Sequence, residues 1–97
     1  MSKEVRMRFY TECVRVAESV GALMSEEQCA HFAECESKRL PEYQWTLGMW
    51  IRNHLLPHNT YLRAALNVLG FATPDDMSLF LIEFAQQYWK LKRIGMM

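Results

Sequence analysis

Thr73-Pro74-Asp75-Asp76-Met77-Ser78-Leu79-Phe80-Leu81-Ile82-Glu83-Phe84-Ala85-Gln86-Gln87-Tyr88-Trp89-Lys90-Leu91-Lys92-Arg93 decides the fold class. Threonine can accept a hydrogen bond from the first turn of a helix, and proline suits the first helical position because no partner is needed there for its missing N–H. Asp75 and Asp76 face the positive end of the helix dipole, and Lys90, Lys92 and Arg93 face the negative end. Between them Met77, Phe80, Leu81, Phe84, Tyr88 and Leu91 recur at helical spacing and are expected to be buried.

The same grammar extends outward from this helix. Asn59 can cap a helix carrying Tyr61, Leu62, Ala65, Leu66 and Leu69, closed by Gly70. Ser25-Glu26-Glu27-Gln28 has capping-box form and opens a helix that buries Cys29, Phe32 and Ala33. Pro41 ends that helix by Leu40. At the start, Phe9/Tyr10, Cys13/Val14, Val16/Ala17 and Val20 form a stripe ending near Gly21. The stretch from Tyr43 to Leu56 is short and aromatic, weakened by Gly48 and stopped by Pro57. No segment alternates at period two. The expectation is an all-α fold, a compact bundle of about five short helices forming one domain over 1–97.

Composition limits what such a bundle does. The chain has 97 residues, 51% hydrophobic, enough for a core. Eleven cations balance eleven anions, which argues against a dedicated nucleic-acid binder. Arg6, Arg8 and Arg15 lie on the first helix, diluted by Glu4, Glu12 and Glu18, so no direct nucleic-acid contact is expected. No apolar run is long enough to span a membrane. Charges at Lys3, Glu4 and Arg6 stand where a signal peptide needs an apolar stretch, and Cys13, Cys29 and Cys35 read as free thiols of the cytoplasm.

The chemistry of an enzyme is hard to find. There is no Gly-x-Ser-x-Gly elbow and no glycine-rich phosphate loop. His31 and Cys35 share a helix face, but no orienting group or oxyanion hole is in view. His54 and His58 are separated by Pro57, and Cys29, His31 and Cys35 lack a second ligand cluster. No catalytic residue, metal or cofactor is expected.

Two features remain. From Glu26 to Glu42, the acids Glu26, Glu27, Glu34, Glu36 and Glu42 face only Lys38 and Arg39. Such a segment is either a solvated face or a docking surface for a basic protein partner, with Arg39, Tyr43 and Trp45 as anchors. The second feature is Trp50-Ile51-Arg52-Asn53. A partly buried Arg52 needs a carboxylate, and a bidentate pair with Asp75 or Asp76 would tie the middle of the chain to the last helix.

Leu47-Gly48-Met49-Trp50-Ile51-Arg52-Asn53, with Gly70 and then Pro74-Asp75-Asp76-Met77-Ser78, resembles an uncharacterised bacterial domain family with the pattern LGMWIRN … G … PDDMS, over roughly Tyr43 to Tyr88. In type the chain is also similar to small bacterial immunity proteins, which neutralise toxins of contact-dependent inhibition, many of them nucleases. That likeness implies a tight complex covering the toxin's active site or substrate groove. A self-associating structural or regulatory module is the alternative, permitted by zero net charge and abundant Met and aromatic residues.

Overall fold

The computed structural model describes residues 2–95, all helix, turn or coil, with no strand among them. Helix α1 spans Lys3–Ala22, α2 Glu26–Glu34, α3 Leu47–Trp50, α4 Thr60–Val68 and α5 Pro74–Arg93. A 3₁₀ stretch, Ser37–Trp45, links α2 to α3. The expected helical bundle is therefore present, with its two end helices 20 residues long.

Helix starts follow the local signals. Thr73 Oγ1 accepts from the Asp76 N–H at 3.1 Å, with Pro74 at the first helical position. Ser25 and Gln28 complete their reciprocal box at 3.1 and 2.8 Å. Asn59 Oδ1 accepts from the Leu62 N–H at 3.0 Å, while its amide donates to Glu12 at 3.0 Å and fastens α4 to α1. Gly70 ends α4 at φ +104, a conformation that favours glycine.

Helix α5 is the centre of the fold. It buries Met77, Ser78, Leu81, Ile82, Ala85, Gln86 and Tyr88, and packs against α1, α2, α3, the 3₁₀ stretch and the turn that follows α3. This stripe sits slightly round the helix from the expected one. Phe80 and Phe84 flank it half-buried, and Leu91 is exposed. Phe80 meets Phe9 and Phe71 at ring-centroid distances of 6.1 and 4.8 Å, and Phe84 meets Tyr10 edge-on at 5.8 Å. Contacts between α1 and α5 advance together, from Phe9–Phe80 through Tyr10–Phe84 to Ala17–Trp89. The two helices therefore run parallel, which sequence neighbours joined by short loops cannot do.

Two segments depart from expectation. Helix α2 stops at Glu34, six residues before Leu40, and Cys35 is extended at φ −66, ψ 152. The reason is tertiary. The buried Gln86 amide donates to the carbonyls of Cys35 at 2.8 Å and Phe32 at 3.3 Å, so the end of α2 is satisfied from α5. After α3 the chain widens to a π turn, Ile51–Leu55, and then tightens to a 3₁₀ turn, Leu56–His58. Pro57 in continued α register would clash with the carbonyl of Asn53, and the extra residue in the turn relieves this.

Candidate functional site

Helix α2 and the 3₁₀ stretch enclose a hollow of about 630 Å³. Glu27, Ala30, His31 and Glu34 line it from α2. Cys35 and Glu36 line its floor and turn, and Arg39, Glu42 and Tyr43 its far wall. Because α2 ends early and the chain doubles back, glutamates distant along the sequence face one space. Six of the residues expected to meet a partner are thus brought together: Glu27, Glu34, Glu36, Arg39, Glu42 and Tyr43. Glu26 and Trp45 are not in the hollow. Glu26 sits exposed in the first turn of α2, and Trp45 is 79% exposed at the end of the 3₁₀ stretch.

The two cations of the segment are engaged locally, while Lys90 of α5 lies near enough to act on the Cys35 thiol. Lys38 Nζ lies 3.2 Å from Glu36 and Arg39 Nε lies 3.6 Å from Glu42, both as exposed pairs of small energetic weight. Among the described residues no ion pair reaches Glu26, Glu27 or Glu34. The hollow keeps a net negative charge. Tyr43 packs edge-on against the buried Phe32 at 5.0 Å, which fixes its ring at the wall. Burial pushes its hydroxyl above the usual phenol range. Burial likewise pushes the Cys35 thiol up, against an opposing hydrogen bond from Gln86, so this cysteine is held protonated.

A second hollow of about 480 Å³ adjoins the first and shares Glu27, His31 and Tyr43 with it. Leu23, Met24 and Leu47 give it an apolar floor. The site is thus bipartite, acidic on one side of Tyr43 and apolar on the other.

A polar knot holds the far wall in place. Arg52, on the π turn, donates from Nη1 to Ser78 Oγ at 3.0 Å and to Gln44 Oε1 at 3.3 Å, and from Nη2 to the Gln44 carbonyl at 3.3 Å. Gln44 Nε2 donates to the Asp75 carbonyl at 2.9 Å. The Ser78 hydroxyl has Gln44 Oε1 at 2.9 Å and the Asp75 carbonyl at 3.0 Å as acceptors, and its one hydrogen serves one of them at a time. The 3₁₀ stretch, the π turn and α5 are locked together by this network. Gly48 is part of it, since a Cβ there would collide with the Gln44 amide.

Arg52 does pair with a carboxylate. The partner is Asp75, Nε to Oδ1 at 3.4 Å, with side chains 19% and 80% exposed. The expected bidentate fork is absent because both Nη atoms are already committed to Gln44 and Ser78. Asp76 contributes its backbone N–H to the Thr73 cap instead. Trp50 is half-buried and stacks on His54 at 5.4 Å, whereas Asn53 is exposed. Arg8 lies over the Tyr61 ring at 3.9 Å and Arg15 pairs with Glu12 at 3.4 Å, which engages part of the first helix's basic set within the fold.

Gln44, Ser78 and Gln86 escaped the sequence reading. The one available signal was a polar residue on an apolar stripe, Gln86 falling four residues after the buried Ile82. Cys29 is buried, His31 exposed and Cys35 half-buried, and no group of three or more metal-type side chains comes together among the described residues. None of the described helices is long and apolar enough to cross a membrane.

No curated protein and no solved structure matches the chain. A family model does match it over residues 14–90, which takes in α2, the acidic hollow, the polar knot and most of α5. The chain belongs to that family, a domain of unknown function designated DUF6794.

Proposed function

We propose that this chain is an immunity-type protein that binds and neutralises a cognate bacterial toxin domain in the cytoplasm, without catalysis of its own. The toxin domain is basic, a nuclease, and the chain covers its active site or substrate groove. The observation that carries this reading is the gathering of Glu27, Glu34, Glu36 and Glu42 around one hollow. A nuclease must present positive charge to hold phosphates. An acidic concave surface is complementary to that charge, speeds encounter and opposes wrong partners. Tyr43, fixed at the wall, and the exposed Trp45 are of the types that dominate binding energy at interfaces.

The products of the adjoining reading frames supply the test. One of them, expressed alone, is expected to arrest growth, and co-expression of this chain to restore it. The paired reversal Glu34→Lys with Glu36→Lys should abolish the rescue while leaving the melting temperature close to wild type. Rescue that survives the reversal would refute the acidic hollow as the binding site. Adjoining products that neither arrest growth nor bind the chain would refute the toxin reading itself.

A further inference from the structure

The outer face of α1 matches the bipartite site in both charge and polarity. Lys3, Arg6, Met7, Tyr10 and Thr11 line a shallow hollow there. Lys3, Met7 and Tyr10 follow each other at i, i+4 and i+7, one face of the helix. Met7 is 61% and Tyr10 49% exposed, although both are large and apolar. Cations and apolar side chains thus share one stripe about 10 Å long. Elsewhere on the surface, the acidic hollow of Glu34, Glu36 and Glu42 adjoins the apolar hollow of Leu23, Met24 and Leu47.

The geometry points to a second copy of this chain as an occupant of the bipartite site, docked by the Lys3–Tyr10 face of α1. Lys3 and Arg6 meet the glutamates, and Met7 and Tyr10 enter the apolar hollow. Zero net charge leaves no long-range repulsion between copies, while the segregation of charge within each copy favours the contact. The two faces are different, so the interface is heterologous, and each copy offers one of each. The inference is independent of any toxin partner.

Sedimentation from about 10 µM to about 1 mM tests it. Wild type should show an average mass that rises with concentration. Lys3→Glu with Arg6→Glu should stay monomeric, and so should Glu34→Lys with Glu36→Lys. Mixed in equal amounts, the two reversed proteins retain one live α1 face and one live hollow. The reversed α1 face and the reversed hollow are also opposite in charge, so the mixture should regain an average mass that rises with concentration. Met7→Asp, with a charge in the apolar stripe, should also be monomeric and guards against a misfolded reversal. All these positions are exposed. Wild type that stays monomeric throughout, a mixture that stays monomeric, or reversed variants that associate like wild type would each overturn the proposal.

Discussion

The indole Nε1–H of Trp89 donates to the carbonyl of Ala17 at 2.8 Å, across the parallel pair of α1 and α5. The ring then lies flush on Gly21, one turn further along α1. Glycine in the last turn of a helix normally weakens it. Here the absent side chain makes room for the indole, and the hydrogen bond satisfies its polar edge.

A Cβ at position 21 would collide with the Cζ2–Cε2 edge of the Trp89 indole. Gly21→Ala should therefore destabilise the protein by about 1–3 kcal/mol, even though alanine is the better helix former. Thermal melting checks this. A change of less than about 0.5 kcal/mol would mean that the indole moves aside freely.

The polar knot makes a graded prediction. Arg52→Ala leaves the buried Ser78 hydroxyl and the Gln44 carbonyl without their cationic donor, and should cost about 1.5–3 kcal/mol. Asp75→Ala removes an exposed partner and one favourable charge at the helix start, so its cost should stay within about 1 kcal/mol. Asp76→Ala should behave like Asp75→Ala. Denaturant unfolding of the three variants gives the order, and an Asp75→Ala loss equal to that of Arg52→Ala would contradict it.

Gln86→Leu keeps the volume but strips both donors from the end of α2. The carbonyls of Phe32 and Cys35 would lose their partner, at a cost of about 1–3 kcal/mol. Hydrogen exchange should speed up first in α2 and the following 3₁₀ stretch, the walls of the acidic hollow. Unchanged protection there would show that α2 terminates without this amide.

Alkaline pH should weaken the fold through Cys13. Burial first, and the neighbouring Glu12 second, push its thiol from 9.0 to about 12. The folded chain therefore holds this proton more tightly than the unfolded chain. This contribution is fully present below pH 9.0 and is lost as pH rises toward about 12, by up to about 1.4 kcal/mol per unit for this single group. Tyr88, raised chiefly by burial, and Lys92, raised chiefly by its hydrogen bond with Tyr88, act in the same direction at higher pH. Urea unfolding at stepped pH should show the decline, and Cys13→Ala should flatten its early part. An identical slope in the variant would remove Cys13 from the explanation.

On the acid side the responsive group is Glu18. The Tyr88 hydroxyl donates to its carboxylate and Lys92 Nζ approaches it at 3.3 Å, and these hold its pKa below the ordinary 4.5. This contribution is present above that value and is lost as pH falls through the lowered one. It should be small, because the carboxylate is about half exposed. Tyr88→Phe should reduce the acid dependence measured by unfolding, and an unaltered profile would assign it to other carboxylates.

Helix starts were legible in the linear chain because capping is local. Thr73, Ser25 and Asn59 each satisfy an N–H three residues ahead, so the signal and its effect lie within one turn. The acidic segment was legible because charge is a property of composition. The need of Arg52 for a carboxylate was legible too, although its choice of Asp75 over Asp76 depended on which way the first turn of α5 faces. What the chain could not reveal alone were features made by residues far apart. Gln86 ends α2 from 51 residues away, and Trp89 gives Gly21 its purpose from the other end of the chain. The parallel course of α1 and α5, the π turn that accommodates Pro57, and the folding of separated glutamates around one hollow all follow from packing on α5. Side-chain caps act over a turn of helix, whereas burial and polar satisfaction act through space, and only the assembled core determines which distant partners meet.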